Sequence, residues 1–241
     1  MAGLSKTKIK TTKQSSRTQD DIVYGHIFDA ILEHRLPPGT KLSEEALGEI
    51  FGVSRTIIRR ALLRLSVEQV VVTRPNRGSV VASPSVEEAN QILKAREVLE
   101  LAIIELATKH ASKKQIEECR AMIIEEDKAT LEGDQGRAIR ISGEFHIKLA
   151  EMANNPPLLS FQRSLVSQCS LIIALYETSK ASNCSLDEHT MLVDAIEEGD
   201  EKHARNLMVE HLSHIKSKLR LNEVKPRKDL HTVFSNVTNK K

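Results

Sequence analysis

Leu36-Pro37-Pro38-Gly39-Thr40-Lys41-Leu42-Ser43-Glu44-Glu45-Ala46-Leu47, followed at once by Phe51-Gly52-Val53-Ser54-Arg55-Thr56-Ile57-Ile58-Arg59-Arg60-Ala61-Leu62, spells two short helices around a tight turn. Ser43 is placed to cap the first helix by accepting a backbone N–H. Gly52 supplies a permissive backbone just past its end, and Ser54 stands at the cap position of the second helix. The pattern predicts a helix-turn-helix. In its second helix Ile58, Ala61, Leu62 and Leu65 recur at three- and four-residue steps as an apolar stripe, which leaves Arg55, Thr56, Arg59, Arg60 and Arg64 facing away from it. Between positions 55 and 77 stand six arginines (55, 59, 60, 64, 74 and 77) against one acid, Glu68, although the whole chain carries only +2. Positive charge concentrated on one helix face is what a reader of the DNA major groove needs.

The next segment, Val70-Val71-Val72-Thr73-Arg74-Pro75-Asn76-Arg77-Gly78-Ser79-Val80-Val81, reads as two short β-branched strands joined by a turn. Such a hairpin is a wing, with Arg74 and Arg77 flanking its tip and Gly78 allowing close backbone approach to a phosphate or groove edge.

Composition narrows the partner. Aromatic residues make up 3% of the chain and Trp is absent, which disfavours stacking on single-stranded bases and leaves duplex reading by arginine and helix termini. Cys119, Cys169 and Cys184 are an odd count without CxxC spacing, so neither a disulfide framework nor a zinc ribbon is expected. No apolar run approaches a membrane span and no secretory h-region opens the chain, so the expected location is cytoplasmic. Residues 1–19 hold five Lys or Arg and no acid before position 20, and read as a disordered basic tail; residues 222–241 read as a second polar tail.

After Pro84 the strand signal ends and helix-period segments run over roughly 86–110, 113–132, 135–153, 157–180, 187–198 and 201–221. The expected architecture is mainly α, with a winged helix-turn-helix over 20–82 and an antiparallel all-α bundle of six to seven helices over 86–221. His189 shares the stripe of Leu192, Val193 and Ile196, and His211 that of Ala204, Leu207, Met208 and Ile215. The turn at Gly199-Asp200 lies about midway between them, so an antiparallel hairpin rising about 1.5 Å per residue brings the rings to similar height. His146, before Leu149 and Ala150, is a third inward histidine. Arg96 also falls on an inward stripe, with Ile92, Leu99 and Ile103, and Glu100 follows one turn later. A buried guanidinium must be paired. Either Glu100 pairs with Arg96 internally, or the arginine clamps the carboxylate of a ligand.

These residues resemble the GntR family of winged helix-turn-helix regulators. The family's L-x-P-G-x-x-L, V-S-R-T-P-V-R-E-A-L and wing-end R-R-G patterns correspond to residues 36–42, 53–62 and 74–78. The second half resembles the FCD-type ligand-binding and dimerisation domain of the FadR subfamily, through the run 96–100, Phe145-His146, Asn155-Pro156, Glu188-His189, 195–200 and His211-Leu212. The resemblance implies DNA contacts from Ser54, Arg55, Thr56, Arg59, Arg60, Asn76, Arg77 and Gly78. It implies an effector site at Arg96, Glu100 and Ser142, and a divalent metal (Zn, Ni or similar) on His146, His189 and His211. It further implies a homodimer on a pseudo-palindromic duplex operator, most often a repressor, answering to a small organic acid. Two positions depart from the family pattern at the reading head: Glu45 replaces a DNA-reaching arginine, and Arg60 replaces a glutamate. A third departure is Ser142, which stands where the family's fourth metal ligand is an aspartate; Glu144 lies on another face. A metal-dependent enzyme built on the three histidines is disfavoured by the lack of an obvious general base and by the arginine-rich head. A constitutive DNA binder with a decayed sensor pocket is the other alternative.

Overall fold

The computed structural model describes residues 18–33, 35–74, 78–176 and 184–220. The N-terminal unit comprises α1 (Gln19–Leu32), β1 (Lys41–Leu42), α2 (Glu44–Phe51), α3 (Arg55–Val67), β2 (Val71–Arg74) and β3 (Gly78–Val81). Ser43 Oγ accepts from the Ala46 N–H to start α2, and Gly52, at φ 65°, takes the left-handed conformation that stops it. The predicted turn is therefore present. Ser54 does hold the cap position of α3, but its hydroxyl makes no cap bond. The N–H groups of Ile57 and Ile58 both donate to the Ser54 carbonyl, at 3.0 and 3.2 Å, which satisfies the first turn and leaves the side chain exposed.

Two elements escaped the sequence reading. Helix α1 is opened by a reciprocal box, in which Thr18 Oγ accepts from the Asp21 N–H and the Asp21 carboxylate accepts from the Thr18 N–H. Residues 18 and 19, placed in the basic tail, belong to this helix start; residues 1–17 lie outside the described residues, as do 221–241. Strand β1 pairs antiparallel with β3, giving the order β1-β3-β2, with Lys41 opposite Val80 and Arg74 opposite Gly78. The wing thus leans on the chain that leads into the helix-turn-helix. Ile27, Ile31, Leu36, Leu47, Ile58, Leu65 and Val81 fill the core beneath.

Among the described residues six helices follow: α4 (Val86–His110), α5 (Lys113–Leu131), α6 (Gln135–Met152), α7 (Pro156–Tyr176), α8 (Cys184–Glu198) and α9 (Glu201–Ser217). Their core includes Ile103, Phe145, Leu149, Leu192, Ile196 and Met208. Helix α8 begins three residues before the predicted start, while positions 177–183 lie outside the described residues. Cys119 and Cys169 are buried free thiols.

The two units share a seam. Leu171 of α7 inserts into the N-terminal core, Ser164 Oγ donates to the Glu68 carbonyl at 3.3 Å, and Tyr176 Oη donates to the Pro84 carbonyl at 2.9 Å. Gly136 at the start of α6 lies so close to α1's end that a Cβ there would stand 2.6 Å from Glu33 Cβ. Among the described residues no helix is long and apolar enough to cross a membrane.

Candidate functional site

The reading head forms as the apolar stripe requires. Ile58, Ala61, Leu62 and Leu65 are buried, and Ser54, Arg55, Thr56, Arg59 and Arg60 are exposed on one side of α3. Gly78 is exposed at the start of β3, whereas Asn76 and Arg77 lie outside the described residues. The simple count of cations does not survive. Arg55 Nη2 is 2.7 Å from Glu45 Oε1, and Arg59 Nε is 2.8 Å from Glu44 Oε2. Arg64 belongs to another surface, where its Nη1 donates to Asp21 Oδ1 at 2.6 Å and its guanidinium lies 4.2 Å from the Tyr24 ring centre. Tyr24 Oη in turn donates to Glu68 Oε1 at 2.5 Å. The sequence window that excluded positions 20, 21, 44 and 45 left out the acids that fold back onto the arginines. Among the described residues, Arg60 and Arg74 are the head's guanidiniums without an ion pair.

The second site is in the bundle. His146 from α6, His189 from α8 and His211 from α9 are all buried, and each offers a ring nitrogen within 4.8 Å of the others. The three inward stripes therefore converge. Glu100 Oε2 lies 2.7 Å from His146 Nδ1, Glu126 Oε2 3.0 Å from His189 Nδ1, and Glu188 Oε2 2.6 Å from His211 Nδ1. A carboxylate only accepts, so each Nδ1 bears the proton and each Nε2 presents a lone pair inward. The consequence is visible at the centre: His146 Nε2 and His211 Nε2 stand 3.1 Å apart, and His189 Nε2 is buried with no hydrogen-bond partner.

Protonation does not relieve that crowding. Burial, chiefly, pushes His146 down to about 4, with Arg96 adding to it against the opposing pull of Glu100. Burial likewise pushes His211 down to about 3, against the Glu188 hydrogen bond. His146 and His211 are therefore neutral near pH 7. Burial alone would raise the Glu100 carboxyl, but Arg96 and His146 outweigh it and hold it below the usual carboxylate range. Glu100 and Glu188, both held below the usual carboxylate range, stand with the single buried guanidinium of Arg96 around the three converging ring nitrogens. A divalent cation fits this donor set, and a proton or a water fits it less well.

Arg96 realises the internal pairing: its Nε donates to Glu100 Oε1 at 2.5 Å, with both groups buried and the Cys169 thiol against the guanidinium. Ser142, one turn before His146, is half-buried and brings no carboxylate. The carboxylates nearest the centre are Glu100, Glu126 and Glu188, each against an imidazole Nδ1. Glu144 pairs with Arg140 at 3.0 Å, away from the centre. His203 is exposed, and His214, also exposed, joins Glu188 through Nδ1 at 2.5 Å.

Sequence reasoning gave no role to Glu126, Glu188 or Gln162. Gln162 is fully buried on α7, donates Nε2 to Glu100 Oε1 at 2.8 Å, and leaves its Oε1 unpartnered. A signal was available for two of them. Glu126 shares the buried stripe of Ile116, Cys119 and Ala129 on α5, and Gln162 shares that of Val166 and Cys169 on α7. A polar residue on an apolar stripe needs a partner.

Comparison with known proteins settles the family. Residues 19–81 match the family described as "Bacterial regulatory proteins, gntR family", and residues 91–214 match the FCD domain. The chain belongs to the GntR family. It is 30% identical over 199 residues to the Uxu operon regulator of Haemophilus influenzae, covering 75% of this chain and 74% of that protein. It is 25% identical over 213 residues to the probable D-xylose utilization operon transcriptional repressor of Paenarthrobacter nicotinovorans, covering 88% and 91%. In fold it is similar to the E. coli McbR/YncC protein, with a TM-score of 0.75 at 21% identity over 84% of this chain and 97% of that one. GntR-family regulators act on DNA through their winged heads, so this member is a transcription regulator and not an enzyme.

Proposed function

We propose that this GntR-family regulator, of the FadR subfamily, is a ligand-responsive repressor. It acts as a homodimer whose two heads bind the half-sites of a pseudo-palindromic operator. Ser54, Arg55, Thr56, Arg59, Arg60, Asn76, Arg77 and Gly78 form the DNA-facing set. Arg59, near the N-terminus of α3, is the residue expected to read base edges, as arginine does with guanine N7 and O6.

The effector is a small organic acid received in the helical domain near Arg96, Glu100 and Ser142. His146, His189 and His211 would hold a divalent cation through Nε2. Such an ion, when bound, supplies a Lewis-acidic position for an anionic oxygen. The chain's own residues do the remaining work. Glu100, Glu126 and Glu188 fix the Nδ1–H tautomers, and Arg96 keeps Glu100 ionised in a buried setting. Gln162 ties α7 to Glu100.

The observation that carries the regulatory reading is the position of α7. Gln162 touches Glu100 beside the histidines, and two residues later Ser164 touches the Glu68 carbonyl at the end of the recognition helix. Leu171, further along, is packed in the DNA-binding unit. A change around Glu100 reaches the head through one rigid element. A coupling of about 1–3 kcal/mol is the ordinary size for such a switch.

The test takes the purified full chain. Elemental analysis after dialysis against Zn²⁺ is expected to give one ion per chain, sedimentation a dimer, and selection from a random duplex pool a two-fold symmetric sequence. On that sequence Arg59→Ala is expected to lose at least about tenfold in affinity with its thermal midpoint unchanged. Thermal-shift screening of the zinc-loaded protein with lactate, malate and citrate is expected to raise the midpoint for at least one. Wild-type affinity in Arg59→Ala overturns the DNA-docking assignment; absence of both zinc and any acid-induced shift overturns the sensor assignment.

A further inference from the structure

The two arginines at the start of the recognition helix are already engaged, and both of their partners lie on the neighbouring helix. Glu45 reaches Arg55 and Glu44 reaches Arg59 across the turn. The side chains are 69% and 62% exposed in the first pair and 30% and 69% in the second. Exposed pairs of this kind contribute little to folding. Acids in a first helical turn also favour the helix dipole, but that role does not require them to point at α3.

We propose that Glu44 and Glu45 are specificity determinants of the reading head, acting as counter-charges that suppress sequence-independent binding to duplex DNA. The inference rests on the DNA-reading assignment above. In a docked helix-turn-helix the first helix crosses the phosphate backbone. A carboxylate there is repelled by phosphate unless a guanidinium stands between them. On random duplex, an arginine that leaves its glutamate gains a phosphate oxygen and exposes the glutamate to the same phosphates. The exchange is close to neutral. At guanine the arginine gains two acceptors in fixed geometry, N7 and O6, and it can take them without abandoning the glutamate. Arg55 is held through one Nη and Arg59 through Nε, so each keeps donors free. Non-specific attraction then falls to Arg60, Arg74 and whatever the wing tip adds, while sequence reading keeps Arg55 and Arg59.

The experiment compares a duplex selected by the wild-type full chain with a scrambled duplex of the same length, titrated from 50 to 200 mM salt. Glu44→Gln and Glu45→Gln remove one charge each and keep the shape. Glu49→Gln removes the same charge from an exposed position on α2 that has no ion pair among the described residues. Each of the first two variants is expected to bind scrambled duplex about 3–10-fold tighter at 150 mM salt. The salt slope on that duplex should be steeper by about one, and the specific-to-random ratio lower. Glu49→Gln is expected to leave the ratio unchanged. An unchanged ratio and slope in both Glu44→Gln and Glu45→Gln overturns the inference, as does an equal effect from Glu49→Gln. Failure of the wild type to select any sequence overturns the DNA-reading assignment itself, a different and separately visible result.

Discussion

The reading head and the histidine centre use the same pairing, a carboxylate against a nitrogen-bearing side chain, in opposite surroundings. At the head the pairs Glu45–Arg55 and Glu44–Arg59 are exposed, so water and salt screen them and either partner can be exchanged at small cost. In the bundle the pairs behind His146 and His189 are buried and the one behind His211 is part-buried, so the protons are held in place and an unpaired buried atom is expensive. The first arrangement suits a surface that must release one partner to take another. The second suits a centre that must present three lone pairs at one point and hold them there. One chemistry becomes a reversible contact or a rigid cage according to its distance from water.

The contrast predicts that removing one group from the cage has a far larger effect than removing one from the head. His189→Ala takes away the member of the three whose buried Nε2 has no hydrogen-bond partner. It is expected to abolish stoichiometric Zn²⁺ retention, read by elemental analysis after gel filtration. Retention of a full equivalent would show that the three rings do not act as a set. Glu126→Ala leaves the His189 tautomer unfixed and is expected to weaken zinc binding about 10–100-fold, measured by competition with a chromophoric chelator. An unchanged affinity would reduce the carboxylates to packing.

Legibility in the sequence follows the same division. Helices with a clean apolar stripe and a cap were readable: Ser43, Gly52 and the 58-61-62-65 stripe defined the helix-turn-helix, and the stripes around His189 and His211 placed both rings inward. Pairings between distant positions were not. Nothing local says that Glu45 meets Arg55 or that Asp21 meets Arg64, so the cationic face looked barer of acids than it is. Strand β1 is two residues long and is defined by its partner β3, which leaves no period to detect. Helix α1 carried a readable signal in Thr18 and Asp21 but was overshadowed by the basic run before it. Ser142 looked like a missing charge because the glutamates that face the imidazoles sit on α4, α5 and α8, up to 46 residues away from His146 in sequence.

The seam between the units should be less sensitive than the cage and more sensitive than the head. Gly136→Ala forces a methyl to 2.6 Å from Glu33 Cβ and 3.1 Å from its Cα, atoms that move only with the α1 backbone. Overpacking of this kind costs about 1–3 kcal/mol. Differential scanning calorimetry is expected to show a lowered midpoint, with zinc stoichiometry intact because α6's histidine lies two to three turns further on. A wild-type midpoint would mean that the α1–α6 part of the seam opens without cost.

The smallest effect belongs to the most exposed group. The Asp21 carboxyl is held down from 3.8 to about 2, first by the Thr18 hydroxyl, then by the Thr18 N–H and Arg64. A carboxyl whose folded value is depressed stabilises the fold above its unfolded value and loses that contribution as pH falls through the folded one. The window therefore runs from about pH 4 down to about 2, and not through neutrality. Thr18→Ala removes the leading cause and is expected to narrow that window, so that the variant's midpoint lies slightly below wild type at pH 6 and converges with it near pH 2. High salt should shrink the Arg64 share of the carboxyl's depression in both proteins and spare the Thr18 share that separates them, since screening acts on exposed Coulomb attraction and leaves the cap geometry in place. A gap between the two proteins that stayed constant from pH 6 to pH 2 would assign the threonine's role to packing, and the comparison between screened and buried pairs would lose its surface example at α1.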